Sequence, residues 1–454
     1  MIAEHIFRAY DIRGVYGVDL DEKVARRVGL ALGHYLGGRG RKLAVGMDVR
    51  LSSPALKKAL VDGLTSAGCD VVDVGLVPSP ALYYAVASMK LDGGAMVTAS
   101  HNPPEWNGFK LCRKDAYIIA EGMGMEDLKA LALKPDLPES GVKGRVEEDP
   151  GLLDRYIEDM VSKVKVSRRL KVVLDVANGC CSLTAPKMFE KLGCEVKVLN
   201  AELDGRFPAH LPEPTEETLA ELKSKVVELG ADFGVGFDGD GDRAVFVDDK
   251  GRVLLGDVVT ALLVNHYLPR EPGAAVVFDV SCSSIVEEAV KRLGGKPIVS
   301  RVGHAYMMDA VMRNNALLGG ERSSHLYFRE IWGIDDGAYA ALKVAEMLSE
   351  AHEPLSALVD RLPRYPTKAK NYDCPDDVKF KAVADIAQEL KSRGVRIIEV
   401  DGVKVLLDEG WFLIRPSNTQ PLIKLTVEAR DDQALAKLMD EADKLIRKRL
   451  KKEL

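Results

Sequence analysis

Three aspartates at alternate positions form the most chemically distinctive stretch of this sequence. Asp238, Asp240 and Asp242 are separated by single glycines, which let the backbone turn tightly and allow three carboxylates to point toward one centre. Carboxylates crowded in this way repel one another unless a cation neutralises them. Oxygen ligands suit Mg²⁺, which completes its shell with phosphate oxygens or water. The pattern therefore predicts a magnesium site.

A solvated acidic turn and a calcium loop of the EF-hand type are the alternatives for this stretch. An EF-hand loop needs glycine at its sixth position and glutamate at its twelfth, where this chain has Arg243 and Asp249. It should also follow a helix, whereas residues 233–237 have the composition of a strand. Magnesium is the favoured ligand.

Ser100 lies in a second polar loop, followed by His101, Asn102 and two prolines. A serine in such a turn is more often a helix cap than a nucleophile, and a neighbouring histidine does not make a catalytic triad. Ser100 gains interest because a site with three aspartates needs a further oxygen ligand, which a phosphoserine would supply.

A basic, hydroxyl-rich loop lies near the C-terminus between two apolar runs. Its composition suits the binding of a phosphate, and a plain polar turn is the alternative. The loop contains Arg415, Ser417, Asn418 and Thr419.

These loops follow the strands of a unit that recurs three times. In each copy a β-rich run ends in Asp-Val, a loop and a Gly-terminated helix follow, and a second extended run comes next, starting from residues 43–49, 170–176 and 275–280. A third apolar run then leads into a polar loop at residues 98–103, 238–243 or 321–325. Strands alternating with helices predict parallel βαβ units, whose ligands bind at the carboxyl ends of the strands. We expect the three loops to face one another.

The last ninety or so residues break this pattern and predict an α+β domain with an antiparallel sheet. The predicted fold class is α/β, with three similar α/β domains containing mixed, largely parallel sheets, and the C-terminal α+β domain, around a central cleft. The predicted domains are 1–147, 148–251, 252–364 and 365–454.

Composition and charge are those of an ordinary globular protein. The chain has 454 residues, of which 46% are hydrophobic and 29% charged, and its formal charge is −6. This mild charge predicts no nucleic-acid partner, and the absence of a long uncharged apolar stretch predicts no membrane partner and a cytoplasmic location. The seven cysteines show no metal-ligand or disulfide spacing and are interpreted as buried thiols.

Four motifs, in this order, resemble the signature loops of the α-D-phosphohexomutases, and the similarity covers essentially the whole chain. They are Thr98-Ala99-Ser100-His101-Asn102-Pro103, Asp238 to Arg243, Gly320-Glu321-X-Ser323 and Arg415-Pro-Ser417-Asn418-Thr419. The opening Phe7-Arg8-Ala9-Tyr10-Asp11 is typical of the phosphomannomutase/phosphoglucomutase branch. A phosphoglucosamine mutase usually opens with a different pattern.

The resemblance implies an isomerase that moves a phosphoryl group between positions 1 and 6 of mannose or glucose phosphate. Phosphorylated Ser100 would donate the group, a hexose 1,6-bisphosphate would be the intermediate and activator, and Mg²⁺ would bind Ser100 and the three aspartates. The implied catalytic residues are Ser100, Lys110, His304, Arg13 and Arg243, with Lys110 the leading general base and His304 the second. The implied substrate-binding residues are Tyr10, His101, Glu321, Ser323, His325, Arg415, Ser417, Asn418 and Thr419. A homo-oligomer is compatible with the sequence.

Two departures and several alternatives stay open. Ser324 occupies a position that is usually glycine, which predicts a turn with a positive φ, and Ser281 occupies a place where some relatives carry a phosphate-binding lysine. The alternative functions are a phosphoglucosamine or phosphopentose mutase on the same scaffold, an aspartyl phosphatase that uses Asp238 and Asp240, and a non-catalytic sugar-phosphate binding protein.

Overall fold

The computed structural model describes residues 2–417 and 421–453, with side chains as far as Lys451. These residues form four sheets. The first sheet has the strand order β1-β5-β4-β2-β3-β6, and its central pairs are parallel. Its strands are β1 (Ile12–Val15), β2 (Lys42–Met47), β3 (Asp70–Leu76), β4 (Gly93–Val97), β5 (Trp106–Arg113) and β6 (Val146–Glu148), and its helices are α1 (Glu22–Tyr35), α2 (Ser53–Ser66), α3 (Ser79–Ser88) and α4 (Met125–Leu133).

The second sheet has the order β11-β10-β9-β7-β8. Its elements, in chain order, are α5 (Leu152–Ser162), β7 (Lys171–Asp175), α6 (Ala185–Lys191), β8 (Glu195–Leu199), α7 (Ala220–Leu229), β9 (Phe233–Phe237), β10 (Ala244–Asp248) and β11 (Val253–Leu254). The third sheet has the order β13-β12-β14-β15. Its elements are α8 (Gly256–Tyr267), β12 (Ala275–Asp279), α9 (Ser284–Arg292), β13 (Lys296–Ser300), α10 (His304–Arg313), β14 (Leu318–Gly320), β15 (Leu326–Phe328), α11 (Gly337–Ala351) and α12 (Leu355–Asp360).

The predicted repeat is confirmed strand by strand. In each copy the first strand, β2, β7 or β12, pairs in parallel with the next strand and with a third, β4, β9 or β14. The chain then reverses into an antiparallel strand, β5, β10 or β15. The three polar loops are the connections at this reversal, so each loop lies at the carboxyl end of a strand inside its sheet.

The C-terminal sheet is antiparallel throughout, with the order β16-β20-β19-β18-β17, as the sequence predicts. Its elements are β16 (Thr367–Asp373), α13 (Asp376–Ser392), β17 (Ile397–Ile398), β18 (Val403–Leu407), β19 (Gly410–Pro416), β20 (Leu422–Ala429) and α14 (Asp432–Glu453). Apolar residues of α13 and α14 pack on one face of the sheet.

The three α/β domains share one apolar core, and the C-terminal domain has another. One large apolar core contains side chains from all three α/β domains, such as Tyr84, Phe233 and Tyr339. The C-terminal domain has a separate core, which contains Ile386, Phe412 and Ile446. The three α/β domains are therefore joined by buried apolar contacts, whereas the fourth packs largely within itself. All seven cysteines are buried and free, as the sequence predicts.

Candidate active site

The three polar loops meet as the repeat predicts. Ser79, at the start of α3, donates its backbone N–H to the Asp240 carbonyl at 2.9 Å, and Arg243 and His325 form an isolated β-bridge between the second and third sheets. A cavity of about 150 Å³ lies between the loops. Its lining includes Tyr10, Asp11, Arg13, Ser100, Lys110, Asp242, Arg243, Val302, Gly303, His304, Glu321, Ser323 and His325.

Ser100 is held in a strained backbone conformation beside the aspartates. Its φ is +50°, a left-handed value that costs a residue other than glycine about 1–3 kcal/mol. The side chain is 1% exposed, and Oγ donates a hydrogen bond to Asp238 Oδ2 at 2.7 Å. Oγ also lies 3.2 Å from Nδ1 of His101. The hydroxyl of Ser100 therefore points into the acidic cluster.

Arg50 holds the serine loop in place, a role that sequence reasoning missed. The guanidinium is fully buried and pairs with Asp48 at 3.1 Å. It donates hydrogen bonds to four carbonyls of the loop, those of Ser100 at 2.8 Å, Asn102 at 2.6 Å, Pro103 at 2.6 Å and Trp106 at 3.0 Å. The partners of Arg50 are thus backbone carbonyls, which every residue has, so no residue pattern in the sequence predicts these contacts.

The three aspartates form a buried group whose ligand oxygens all lie within 4.8 Å of one another. Gly239 is required here, because a Cβ on it would lie 2.6 Å from the Ser100 carbonyl oxygen. Asp240 Oδ1 and Asp242 Oδ1 are buried and make no hydrogen bond within the described part of the chain. Burial, together with the charges of Asp242 and Asp240, raises the pKa of Asp238 well above its usual range. Unpaired oxygens and mutual repulsion fit a divalent cation with oxygen ligands.

Lys110 is buried beside the same carboxylates. Its ammonium group lies 2.7 Å from Asp240 Oδ2 and also contacts Asp242 Oδ2. Burial alone would lower the pKa of Lys110, but Asp240 and Asp242 outweigh it and raise that pKa above its ordinary value. The side chain is therefore a positive charge at the edge of the cluster.

Glu321, Ser323 and His325 form one network on the third-domain loop. Glu321 accepts hydrogen bonds from the Gly303 N–H at 2.6 Å and the Tyr327 hydroxyl at 2.9 Å, and its Oε2 lies 3.1 Å from Nδ1 of His325. The Ser323 hydroxyl lies 3.0 Å from the same nitrogen. Arg243 donates its Nε–H to His325 Nε2 at 3.3 Å, which requires a lone pair on Nε2.

The charge of His325 depends on Asp242. Burial and the charge of Arg243 would lower the pKa of His325, but the Asp242 and Glu321 carboxylates outweigh them and raise it to about 10. A cation bound to Asp242 would weaken that effect, because it would offset the charge of the carboxylate. It would thereby favour the neutral form of His325, whose Nε2 accepts a hydrogen bond from Arg243.

His304 and Asp335 form a second pair, and sequence reasoning did not identify Asp335. His304 Nδ1 lies 3.6 Å from Asp335 Oδ2, and both atoms are buried without a hydrogen bond to any described residue. Together with Asp242 they form another group whose ligand atoms lie within 4.8 Å. The Asp335-Asp336 pair before α11 was the available sequence signal, because Asp336 caps that helix through the Tyr339 N–H.

The first strand brings Tyr10 and Arg13 to the cavity. Arg13 donates to Asp11 at 2.7 Å and to the side-chain oxygen of Asn102 at 2.5 Å, and the Tyr10 hydroxyl donates to the Val302 carbonyl at 3.0 Å. Burial and the charges of Arg243 and Arg13 lower the pKa of His101 well below its usual range, so that its ring is neutral at pH 7. The loop departure at Ser324 does carry a positive φ, of +71°.

The fourth-domain loop lies apart from this cavity. Arg415 Nη1 is 3.6 Å from Asp401 Oδ2, and Ser417 is 1% exposed. Asn418 and Thr419 lie outside the described residues, so the predicted phosphate loop is seen only at its start.

Comparison with known proteins agrees with the site. Family models for the alpha/beta/alpha domains I, II and III of phosphoglucomutase/phosphomannomutase match residues 4–134, 154–251 and 255–365, and the model for the C-terminal domain matches residues 370–445. A phosphomannomutase/phosphoglucomutase of Pseudomonas putida is 38% identical over 97% of this chain and 95% of its own. A probable phosphoglucosamine mutase of Methanopyrus kandleri is 37% identical over 97% of this chain and 98% of its own.

Among solved structures, a phosphoglucomutase/phosphomannomutase family protein of Burkholderia thailandensis superimposes with a TM-score of 0.91 at 35% identity. The alignment covers 99% of this chain and 98% of that one. The fold and the four loops thus define an α-D-phosphohexomutase. The chain belongs to the phosphoglucomutase/phosphomannomutase family, and it is an isomerase of that mutase type. None of the helices in the described ranges is long and apolar enough to cross a membrane.

Proposed function

We propose that the protein interconverts the 1- and 6-phosphates of mannose and glucose through a phosphoserine at position 100. Mg²⁺ is the proposed cofactor, and hexose 1,6-bisphosphate is the intermediate and the activator. The observation that carries the proposal is the Ser100 hydroxyl, strained into a position 2.7 Å from Asp238, in a group of three buried aspartates with unpaired oxygens.

The proposed reaction is two phosphoryl transfers. A free hydroxyl of the hexose monophosphate attacks the phosphorus on Ser100, so that a new P–O bond forms while the bond to Ser100 Oγ breaks. The hydroxyl proton passes to a general base. The bisphosphate then turns over in the site, and Ser100 Oγ takes the other phosphoryl group by the same step in reverse.

Ser100 and the aspartates Asp238, Asp240 and Asp242 would hold Mg²⁺. When bound, the ion supplies positive charge that stabilises the negative charge developing on the transferring group. Arg13 and Arg243 line the same cavity and would contact the group's oxygens. Lys110 adds a third positive charge, beside Asp240 and Asp242.

His325 fits the role of general base. In its neutral form Nδ1–H is donated to Glu321, and the Nε2 lone pair, which accepts from Arg243 in this structure, is free to take a proton once Arg243 turns to the transferring phosphoryl group. Lys110, the leading candidate from the resemblance, would have to give up its contacts with Asp240 and Asp242 and lose its proton for this role. His304 remains the neighbouring candidate, since its Nδ1 is unpaired among the described residues.

Binding would be divided among the four proposed domains, 1–147, 148–251, 252–364 and 365–454. Glu321, Ser323 and His325 would contact sugar hydroxyls, together with Tyr10 and His101. Arg415, Ser417, Asn418 and Thr419 would bind the phosphate that is not reacting. Cytoplasmic location and a possible homo-oligomer are part of the same proposal.

The name of the Methanopyrus kandleri relative favours one second candidate, a phosphoglucosamine mutase. Both functions use the same loops and differ in the sugar. Assays with the 1-phosphates of glucose, mannose, glucosamine and a pentose distinguish them. Turnover of the amino sugar or the pentose alone would overturn the preference for mannose and glucose.

Intact-mass measurement and peptide mapping test the shuttle. After incubation with glucose 1,6-bisphosphate and Mg²⁺, we expect one phosphoryl group on Ser100 in the wild-type protein, none in Ser100→Ala, and loss of mutase activity in that variant. Ser162→Ala is the matched control, because Ser162 lies at the exposed end of α5 and should keep both phosphate and activity. Phosphate on Asp238 together with an active Ser100→Ala variant would instead establish an aspartyl phosphatase. Tight binding of hexose phosphate without turnover would establish a binding protein.

A further inference from the structure

Two histidines and two aspartates from the second and third domains meet next to the aspartate group. Asp242, His304 and Asp335 each offer a metal-ligand atom, and these atoms lie within 4.8 Å of one another. His325 adjoins them, because its Nε2 lies 3.4 Å from Asp242 Oδ1 and 3.9 Å from Asp335 Oδ2. All four residues are at most 8% exposed. These four residues are termed the His–Asp cluster.

Three potential ligand atoms of the His–Asp cluster lack hydrogen bonds. Asp242 Oδ1, His304 Nδ1 and Asp335 Oδ2 are each buried without a hydrogen-bond partner among the residues that the structure describes. His304 Nδ1 and Asp335 Oδ2 are 3.6 Å apart, which is too long for a hydrogen bond. A buried polar atom without a partner costs free energy, and a cation bound to all three atoms would satisfy them together.

The spacing of the cluster fits four-coordinate zinc. Zn²⁺ binds histidine nitrogens and carboxylate oxygens at about 2.0–2.2 Å in tetrahedral sites, so that neighbouring ligand atoms lie about 3.3–3.6 Å apart. The three measured separations are 3.4, 3.6 and 3.9 Å. Zn²⁺ favours imidazole nitrogen as a ligand, whereas Mg²⁺ favours oxygen, so the cluster and the aspartate group select different metals.

Glu321 orients the ring of His325 for metal binding. Its Oε2 lies 3.1 Å from His325 Nδ1, so that the Nδ1–H is donated to the carboxylate and Nε2 is left as the ligand. Histidines that bind zinc are usually held by a carboxylate in this way. A bound metal would replace the 3.3 Å hydrogen bond that Arg243 donates to His325 Nε2.

The turn that carries Asp335 is tied to the loop that carries Asp242. The Gly337 N–H donates to the Gly241 carbonyl at 3.1 Å, and a Cβ on Gly337 would lie 2.6 Å from the Arg243 carbonyl oxygen. The two backbone segments are thus in direct contact, which fixes the separation of the two carboxylates. A site held in this way binds a metal without rearrangement of the backbone.

We propose that the His–Asp cluster is an inhibitory Zn²⁺ site. The site itself is independent of the proposed function, whereas its inhibitory effect rests on that function. Zn²⁺ bound there would occupy the Nε2 lone pair of His325, the proposed general base, and so prevent proton transfer. Asp242 has two carboxylate oxygens and can bridge two cations, so that Mg²⁺ can stay on the aspartate group.

Titration with Co²⁺, a spectroscopic substitute for Zn²⁺, tests the site in the presence of excess Mg²⁺. Four-coordinate Co²⁺ absorbs visible light strongly, whereas Co²⁺ with six oxygen ligands absorbs weakly. We expect one strongly absorbing Co²⁺ per wild-type chain and none in His304→Gln or Asp335→Asn. His210→Gln is the matched control, because His210 pairs with Asp175 at 3.1 Å in the second domain and should keep the absorption.

Calorimetry and rate measurements in excess Mg²⁺ test the inhibition. Asp335→Asn should raise the Kd for Zn²⁺ at least about 100-fold, because loss of a ligand costs more than loss of a group that merely orients one. The Zn²⁺ concentration that halves the rate of glucose 1-phosphate conversion should rise by the same factor. Circular dichroism shows whether each variant is folded, and either His304→Gln or Asp335→Asn alone suffices for the test.

The outcomes separate this inference from the proposed function. A strong Co²⁺ absorption that persists in both variants, or its absence from the wild-type protein, would overturn the site. Inhibition by Zn²⁺ that excess Mg²⁺ relieves and that Asp335→Asn leaves unchanged would place Zn²⁺ on the aspartate group and overturn the inhibitory role. If the wild-type protein binds Co²⁺ in the cluster but converts no hexose phosphate, the proposed function and the inhibitory role fail while the metal site stands.

Discussion

At the scale of single residues, the site combines a strained serine with carboxylate oxygens that make no hydrogen bond to any described residue. Ser100 has a φ of +50°, and its N–H is donated to Thr98 Oγ1 at 2.8 Å. Strain of this kind persists only where surrounding contacts fix it, and it is concentrated at functional sites. The contact that it produces, between Ser100 Oγ and Asp238, places the proposed phosphoryl donor directly at the proposed metal ligands.

The two cavity histidines make separable predictions. His325→Gln should lower kcat by about 10²- to 10⁴-fold with a smaller change in KM, because it removes the proposed proton acceptor without removing a charge from the loaded site. His304→Gln should lower kcat less, since it removes only a neighbour of the reacting groups. Steady-state rates with glucose 1-phosphate, at equal content of phosphate on Ser100, measure both. A larger loss in His304→Gln would assign the base to His304.

At the scale of elements, the same turn follows the first strand of each copy of the repeat, β2, β7 and β12. Oδ1 of Asp48, Asp175 and Asp279 accepts the N–H of the residue two positions later, at 3.1, 3.1 and 2.6 Å. This turn explains why the Asp-Val repeat is visible in the sequence. The residue that donates differs among the copies, and only the first copy places an arginine there, Arg50.

Arg50 should act as a positioning residue for the serine loop. Arg50→Lys keeps the charge but cannot reach four carbonyls, so kcat should fall at least tenfold while KM changes little. Breaking the buried pair with Asp48 should also destabilise the protein, by about 3–5 kcal/mol if the charge of Asp48 is left unpaired. Arg41→Lys is the control, because Arg41 forms an exposed pair with Asp92 and should leave both quantities unchanged.

The rate of phosphoryl transfer from phospho-Ser100 to substrate, measured by stopped flow, distinguishes a positioning role of Arg50 from a loss of folded protein. At a temperature where Arg50→Lys is fully folded, a wild-type transfer rate would contradict the positioning role. A slowed transfer with normal substrate affinity would support it.

Features made by residues close together in the sequence could be predicted, whereas contacts between distant residues could not. The repeated strands, the three loops and the aspartate cluster are local patterns, so the sequence predicts their existence and their convergence. Arg50 binds carbonyls 50–56 positions away and has no sequence signal of its own, whereas the Asp335-Asp336 pair signals the start of α11 but not the contact of Asp335 with His304.

At the scale of the whole molecule, the cavity and the cores favour movement of the fourth domain. The cavity between the loops has a volume of about 150 Å³, below the about 300–1,000 Å³ typical of ligand pockets. Arg415 and Ser417 do not line it. Because the C-terminal domain has its own core, it can turn against the other three without breaking their shared core.

A groove of about 440 Å³ lies between the first and fourth domains, and a movement of the fourth domain would change its width. Its lining includes Phe7, Met125 and Phe380, and Phe380 is 54% exposed. We expect substrate that bridges Ser100 and Arg415 to draw the two domains together. Spin labels at Asp127→Cys and Asp377→Cys, both exposed positions, should report the change.

Double electron–electron resonance measures the distance between these labels. Saturating glucose 1,6-bisphosphate with Mg²⁺ should narrow its distribution and shift it to shorter values. The native cysteines should not react, because burial raises the pKa of all seven thiols. Labels at Asp127→Cys and Glu190→Cys, at exposed positions on the first and second domains, should keep one distance throughout. A distance between the first and fourth domains that ligand does not change would contradict closure, and the fourth-domain loop would then have to reach the phosphate without domain movement.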